Sequence, residues 1–469
     1  MIDPGIIFML VGCGIAIIAL IRSQASNFDR VQQIVGLRPD WIMLLFPTVL
    51  AIRALNNKLA LLVLASLLAA SFARRPDGSF RILLGPFALI SAASLIVIIR
   101  PENTTKISLA IFPMLTFLLV GTLTLRAAKT TEARRVVSSL IDGCGLYCVA
   151  NLLAYTVGIR SPAAESRIGG LIESGGFIRM IFPLATSINI PPILAGIFIA
   201  AFPLAIKQPG WLQRSTRLVG FTAALFVLLA SGTRLPMLST AILAIAIAVL
   251  PQVTRWSAQI AILFAAGSAL YLPTLLKSAL TPIGQLSEFL VRGRSTDAQV
   301  IATLQNRDVI WRRSITYWEE WASPSQKLLG FGMDGQYRSG ASLAYQELLS
   351  GISTAPERAY LHNSFLQQLF DGGLAGWLAL VVAVYWASSR LAKQRSWGAW
   401  GPSASVAMTL LAISSMAEVS IAPGPSQETF WLLVVLVGAA CQGAQSSVLT
   451  GENHSRIRDR ESAKKFIRV

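Results

Sequence analysis

Long apolar runs recur along the whole chain, and they restrict its fold more than any other feature of the sequence. A run of about 20 apolar residues crosses a bilayer as a helix, since backbone in lipid must satisfy its own hydrogen bonds. The chain is 54% hydrophobic and only 13% charged. No soluble globular domain of this length needs so much apolar residue. The sequence therefore predicts an all-α polytopic membrane protein.

The apolar runs predict about thirteen membrane spans. The second and third runs are short, and together they could form a broken or tilted pair, so we expect about 12–13 transmembrane helices. The first run has no basic segment ahead of it, and we interpret it as a retained helix. The predicted spans cover approximately residues 4–21, 41–54, 58–73, 80–99, 107–125, 135–158, 184–205, 217–231, 235–250, 256–274, 362–388, 403–420 and 428–445.

The net charge of +17 comes from 40 basic and 23 acidic residues. In a soluble protein this balance would suggest nucleic acid, but short cytoplasmic loops of membrane proteins also collect Lys and Arg. Contact with anionic lipid or a diphosphate is a second, compatible interpretation. Basic loops alternate regularly along the chain, at residues 22–38, 74–81, 126–135, 207–217 and 390–395. The partner implied is thus the lipid bilayer and not nucleic acid, with the N-terminus outside and the C-terminus in the cytoplasm.

This topology divides the chain into four parts. They are an N-terminal transmembrane bundle at 1–274, a large external loop at 275–361, C-terminal transmembrane helices at 362–445 and a basic cytoplasmic tail at 446–469. A loop this long without function would be unusual in a compact protein. We therefore expect the external loop to contribute to the functional site.

Part of the external loop has the pattern of an amphipathic helix, at residues 305–321. Val309, Trp311, Ile315 and Trp318 could share one apolar side at helical spacing. Such a helix would lie at the membrane surface or cap a cavity.

His362 is one of only two histidines, and the other, His454, lies in the basic tail. His362 stands where the polar loop gives way to an apolar run, so its ring would touch both water and a lipid headgroup. Imidazole has the side-chain pKa nearest neutrality. One interpretation is an interfacial residue with a satisfied hydrogen bond. The other is a general base that deprotonates an acceptor hydroxyl.

Arg179, Arg234 and Arg307 are predicted to face outward. Arg179 and Arg234 lie close to apolar runs, and Arg307 starts the amphipathic segment. Positive-inside statistics disfavour Arg on that face. Guanidinium groups match phosphate oxygens, so two of them could hold a diphosphate at membrane depth. Arginines that extend from helix ends towards water are the alternative. Nearby, Asn189 precedes Pro191-Pro192, a pattern that suggests a helix broken or kinked near its outer end.

The remaining reactive residues favour structural roles. The two histidines are too far apart to supply a metal site, and there is no Gly-rich phosphate loop, so we expect neither metal nor cofactor. Asp371 precedes Gly372-Gly373 inside an apolar run, where the acid could pair with a neighbouring helix and the glycines could permit close helix contact. The cysteines all lie in apolar stretches and are expected to pack as small hydrophobes: Cys13, Cys144, Cys148 and Cys441.

Several of these segments together resemble a known family, the O-antigen ligase and polymerase superfamily. Leu361-His-Asn-Ser-Phe-Leu366 resembles its His-Asn-x-x-Leu signature, and Ser231-Gly-Thr-Arg234 its Ser-Gly-x-Arg hairpin. Arg307-Asp-Val-Ile-Trp311 resembles its Arg-x-x-x-Trp element in the large periplasmic loop, and Gly330-Phe-Gly332 also fits. The resemblance spans roughly residues 175–390.

The resemblance implies a metal-independent membrane glycosyltransferase of the GT-C kind in the bacterial inner membrane. The donor would be a glycan on undecaprenyl diphosphate. The acceptor would be a lipid A core sugar for a ligase, or another lipid-linked repeat unit for a polymerase, which we favour. Chain-length or export proteins are possible partners.

By family role, His362 would be the base, and Arg234 and Arg179 would bind the diphosphate. We also expect Arg307 to bind the diphosphate and Asn363 and Asn189 to support the site. In relatives an Asn-Pro-Asn-like stretch follows the arginine that Arg179 matches. Here that stretch contains Asn189 followed by Pro191.

An alternative from another class is a transporter or flippase for a lipid-linked or anionic substrate. It would use the same arginines as a pathway. The sequence shows no inverted repeat and has one large asymmetric external loop, and both features speak against a transporter. A structural subunit of an export complex would leave the histidine unexplained.

Overall fold

The computed structural model of the protein describes residues 39–73, 85–98, 107–126, 130–160, 171–174, 177–206, 214–272, 307–349, 359–394, 397–425 and 427–441. The predicted first span, Cys13 and the basic tail with His454 lie outside these residues. Helices dominate the described chain, as the apolar runs predict.

The helices are numbered here in chain order. They are α1 (Pro39–Ala51), α2 (Asn57–Ala73), α3 (Pro86–Ile98), α4 (Ile107–Arg126), α5 (Thr130–Thr156), α6 (Ile190–Ala205), α7 (Arg214–Ala230), α8 (Arg234–Val249), α9 (Ser257–Ala266), α10 (Arg307–Trp321), α11 (Pro324–Leu329), α12 (Gly335–Arg338), α13 (Ser364–Leu391), α14 (Trp400–Ser415) and α15 (Glu428–Cys441). Short 3-10 helices occur at Ile52–Ala54, Pro251–Arg255, Ala341–Ala344 and Gln346–Leu349. An antiparallel hairpin joins β1 (Leu171–Ser174) and β2 (Phe177–Met180), with Ile172 opposite Arg179.

Each predicted span from the second to the last coincides with one of these helices. Within the described residues, α5 and α13 are both long and apolar enough to cross a membrane, and the other apolar helices are shorter. The short pair at 41–54 and 58–73 consists of two helices, α1 and α2, with the 3-10 helix Ile52–Ala54 between them.

The centre of the bundle is formed by α14 and α15, whose described side chains are almost all buried. α14 packs against α5, α6, α8, α9 and α13. Small residues such as Ala404, Ser405 and Ala407 let these neighbours approach closely. Large apolar side chains on α7, α8, α9 and α13 instead point outward. A chain that leaves so much apolar surface exposed is suited to contact with lipid.

A buried ion pair connects four helices at one end of the bundle. Arg217 donates from Nε and Nη2 to the carboxylate of Asp142 at 2.9 and 3.0 Å, and from Nη1 to the carbonyl of Ala205 at 2.8 Å. Its guanidinium also lies over the ring of Trp400. The sequence placed Arg217 at the end of a basic loop. It is buried instead, because Asp142 on α5 compensates its charge.

The predicted span at 362–388 is one continuous apolar run in sequence but two helical pieces in structure. Gly373 interrupts α13 with φ of 64° and ψ of −167°. A Cβ at Gly373 would lie 2.4 Å from the carbonyl carbon of Leu328 on α11. At the same bend, Phe331 N donates to the carbonyl of Phe370 at 2.8 Å. The glycine thus permits the close contact between α11 and α13.

Candidate active site

His362 directly precedes α13, and the residue after it caps that helix. Asn363 Oδ1 accepts hydrogen bonds from the N–H groups of Phe365 and Leu366 at 3.1 and 3.0 Å. Its Nδ2 donates to Ser268 Oγ at 2.8 Å and to the carbonyl of Met416 at 3.2 Å. Asn363 therefore joins the start of α13 to the chain that follows α9 and α14.

The backbone of His362 has a φ of 49°, a left-handed conformation that costs a non-glycine residue about 1–2 kcal/mol. Leu361, the residue before His362, is held by two hydrogen bonds. Trp311 Nε1 donates to the Leu361 carbonyl at 2.7 Å, and Leu361 N donates to Gln367 Oε1 at 3.3 Å. The tryptophan of the Arg-x-x-x-Trp element thus positions the histidine through the backbone.

The buried face of α10 contains part of the expected apolar side together with polar residues, because Trp311 belongs to an apolar cluster against which Ile315 and Trp318 pack. Trp311 is buried as expected, but Val309 and Ile315 are only partly buried. The other buried positions on this helix include Asp308 and Ser314. The reason is that α10 packs on the rest of the protein through residues 308, 311 and 314, so polar side chains lie on the buried face of this helix.

Glu418 contacts several of the predicted site residues, although no sequence motif contains it. It lies after the end of α14, and its Oε1 accepts a hydrogen bond from Arg307 Nη2 at 2.6 Å. Its Oε2 lies 3.5 Å from His362 Nδ1. The side chain of Asn189 also bonds to Glu418, and Ser364 Oγ donates to its carbonyl at 2.7 Å.

The charge of Glu418 is stabilised by its neighbours. Burial would raise the pKa of Glu418, but the positive charge of Arg307, the bond to His362 and the bond to Asn189 together hold this pKa below its ordinary range. An ionised carboxylate only accepts hydrogen bonds. It therefore favours the imidazole form with a proton on Nδ1, which leaves Nε2 of His362 as the basic nitrogen.

Arg179 packs against the turn between α7 and α8. A Cβ at Gly232, which has a φ of 60°, would lie 3.1 Å from Arg179 Cγ. Only a glycine leaves this space for the arginine while turning the chain. The buried Nε of Arg179 makes no hydrogen bond within the described part of the chain. The hairpin β1–β2 and the Ser-Gly-x-Arg turn thus form one surface.

Arg234 and Arg307 act electrostatically on Arg179. Burial lowers the pKa of Arg179, and the like charges of Arg234 and Arg307 lower it further, while Glu418 opposes the change. Arg234 is the exposed first residue of α8. The side chain of Thr233 does not cap that helix, so its first amide groups receive no hydrogen bond from Thr233.

Asn189 precedes the first turn of α6, and Pro191 and Pro192 lie within that turn. The helix therefore begins here and is not broken, which corrects the expectation of a kink. At 1.5 Å per residue α6 is about 24 Å long. The irregular chain before it is held by Leu184 N, which donates to Asn151 Oδ1 at 2.9 Å, and by Thr186 Oγ1, which donates to Glu428 Oε2 at 2.6 Å.

Tyr360 and Asp334, which both precede His362 in the chain, provide two further polar groups. Tyr360 OH donates to Asp334 Oδ1 at 3.4 Å. Burial raises the pKa of Tyr360, and the charges of Asp334 and Asp371 raise it further. A neutral phenol beside a carboxylate offers both a donor and an acceptor for hydroxyl groups.

The carboxylate of Asp371 accepts hydrogen bonds that hold parts of the fold together. Its Oδ1 accepts hydrogen bonds from Gly335 N at 2.8 Å and from Gln367 Nε2 at 2.9 Å. It therefore holds the short helix α12 against α13. Among the described residues, no three His, Cys, Asp or Glu side chains are grouped so that they could hold a metal ion.

In this helical, apolar protein an imidazole, a carboxylate and guanidinium groups lie near one another, and guanidinium groups match the oxygens of anionic ligands. Residues 219–381 match the family model described as O-antigen ligase. This match confirms the resemblance to the O-antigen ligase and polymerase superfamily, whose activity is that of a membrane glycosyltransferase. The matched segment contains Arg234, Arg307 and His362, whereas Arg179 and Glu418 lie outside it. No curated protein matches the chain.

Proposed function

We propose that the protein transfers a glycan from undecaprenyl diphosphate to a hydroxyl group of a glycan acceptor. The observation that carries the proposal is the chain of contacts from His362 through Glu418 to Arg307, next to Arg179 and Arg234. The site would face the periplasm of a bacterial inner membrane together with the loop at 275–361. The basic tail and the inner basic loops would lie in the cytoplasm.

His362 is the general base in this mechanism. Its Nε2 takes the proton of the acceptor hydroxyl as that oxygen attacks the anomeric carbon of the donor sugar. The bond between the anomeric carbon and the diphosphate oxygen breaks, and its electron pair leaves with the diphosphate. Glu418 accepts a hydrogen bond from Nδ1 and stabilises the imidazolium that forms.

The leaving diphosphate binds at Arg179 and Arg234. Guanidinium groups and the first amides of α8 stabilise the negative charge that grows on the leaving oxygen. Burial and then the like charges of Arg234 and Arg307 lower the pKa of Arg179, and an anion that lies between the arginines relieves the repulsion between their charges. Arg307, bound to Glu418 in the structure, is near enough to contribute.

The acceptor sugar lies on the side of Tyr360 and Asp334. These two side chains form a hydrogen bond of 3.4 Å with each other. A sugar hydroxyl can readily replace one partner in a hydrogen bond of this length. Tyr360 is two residues from His362 in sequence, so an acceptor held there reaches the base.

A polymerase is favoured over a ligase, and a deletion strain distinguishes the two. Gel analysis of the surface glycan should show single repeat units only if the protein is the polymerase. Full-length chains stranded on the lipid carrier would identify the ligase. Surface glycan of normal length and normal attachment would contradict the proposal.

A further inference from the structure

A groove lies between α9 and α13, at the end of α13 opposite His362. Its volume is about 720 Å³, within the usual range for pockets that hold small molecules. The groove is lined by Arg255, Trp256, Gln259, Ile260, Leu263, Tyr385, Ser389, Ala392 and Lys393. From Gly373 to the end of α13 the helix extends about 27 Å, so the charged end of the groove, at Lys393, lies far from His362.

The charges that line this groove are all positive. Arg255 and Lys393 stand on its two sides, and its lining contains no Asp or Glu. Within the part of the chain that the structure describes, neither residue forms an ion pair. The groove is therefore complementary to an anion.

The rest of the groove is apolar and opens onto the outer surface of the bundle. Ile260 is 54% exposed and Leu263 is 58% exposed. Trp256 and Tyr385, which are also exposed, combine an apolar ring with a polar tip. Such aromatic residues concentrate at the level of lipid headgroups. The groove therefore offers a polar end for a headgroup and an apolar wall for a chain.

We propose that this groove binds one anionic glycerophospholipid of the phosphatidylglycerol type. The phosphate lies between Arg255 and Lys393. An acyl chain follows the wall formed by Ile260 and Leu263. This lipid is a bound component of the fold, and the proposal does not depend on the transferase mechanism.

Native mass spectrometry of the full-length protein in a neutral detergent tests the proposal. Phosphatidylglycerol and phosphatidylcholine are added separately at equal concentrations. The wild type should retain one phosphatidylglycerol at concentrations that give no phosphatidylcholine adduct. The double variant R255Q/K393Q should bind phosphatidylglycerol about 30-fold more weakly, since each cation near an anionic lipid contributes about fivefold.

Two further variants separate this site from general charge effects. R135Q/R214Q removes two other exposed arginines and should bind phosphatidylglycerol as the wild type does. Ala392→Trp fills the groove without removing charge and should lose the adduct. Equal binding of both lipids, or an unchanged adduct in R255Q/K393Q, would overturn the proposal. So would displacement of phosphatidylglycerol by equimolar undecaprenyl phosphate, because the groove would then be a polyprenyl site.

Discussion

Replacement of Glu418 by Gln isolates the electrostatic role of its carboxylate. The variant keeps the size of the side chain but removes the negative charge that Arg307 contacts at 2.6 Å. It also offers His362 an amide in place of a carboxylate, 3.5 Å from Nδ1. Because an amide can donate as well as accept, it no longer selects the imidazole form with a basic Nε2.

The size of the effect follows from the geometry. Hydrogen bonds to charged groups contribute about 1.5–3 kcal/mol, and the side chains of Glu418 and His362 are only 15% and 25% exposed. A loss near 2.7 kcal/mol lowers a rate constant about 100-fold. We therefore expect Glu418→Gln to lower kcat about 100-fold. Glu418→Asp, which keeps the charge but shortens the side chain, should lower it less.

The assay measures glycan transfer by the purified protein from a defined undecaprenyl-diphosphate donor to a glycan acceptor. The products are separated and quantified on a gel. The KM for the donor should change little, since the arginines that bind the diphosphate remain. A variant that merely misfolds would lose both donor binding and activity, and thermal unfolding in detergent identifies that case. A well-folded Glu418→Gln variant with the kcat of the wild type would refute the reasoning.

The same pair of proteins gives a pH test of stability. The folded-state pKa of Glu418 is lower than the value in an unfolded chain, about 4.3. Its contribution to stability is therefore fully present above that unfolded value and is lost as the pH falls through the folded pKa. The difference in Tm between wild type and Glu418→Gln should shrink as the pH falls below about 4, where Glu418 takes up a proton. A difference that grows below about pH 4 would contradict the assigned direction.

Three other substitutions test separate parts of the structure. Arg234→Gln should weaken donor binding about 10- to 100-fold, as measured by KM for the lipid diphosphate, because one charge-assisted contact to phosphate is lost. Asp142→Asn should destabilise the protein by about 3–5 kcal/mol, measured by unfolding in detergent, because it leaves a buried guanidinium without its counter-charge. Gly373→Ala should lower stability by more than about 2 kcal/mol in the same measurement, because its φ of 64° and the 2.4 Å approach of α11 both exclude a Cβ.

Two of these variants, Gly373→Ala and Arg234→Gln, have a matched control. Gly121→Ala adds the same methyl group where no heavy atom lies within 4 Å, so it should not destabilise the protein. Lys58→Gln removes an exposed charge and should leave the KM for the donor unchanged. An Asp142→Asn variant as stable as the wild type would show that the buried ion pair does not hold α5 to α7. An unchanged KM in Arg234→Gln would remove that arginine from the diphosphate site.

Apolar runs predicted the helices well, because lipid and a buried core both demand apolar residues over the length of a helix. His362 and Arg234 stand out in the sequence because they are polar groups beside apolar runs, and Arg307 because it starts the amphipathic segment. Their convergence could be proposed but not measured from the sequence. It depends on packing between segments far apart in the chain.

Glu418 was missed because no motif surrounds it. It is a single acid near the end of an apolar run, and that position is the only signal the sequence offers. The partner of Arg217 was missed for a similar reason, since Asp142 lies 75 residues earlier. The bend at Gly373 was not predicted either, because a single glycine does not change the periodicity of the apolar run that contains it.

The central claim is that His362 removes the proton of the acceptor. The most direct test compares wild type and His362→Gln in a single-turnover assay that follows release of undecaprenyl diphosphate from a glycan donor in the presence of acceptor. The account predicts donor binding of normal strength in the variant and transfer at least about 100-fold slower, the lower range expected for a lost general base. Transfer at the wild-type rate by a folded His362→Gln variant would contradict the account.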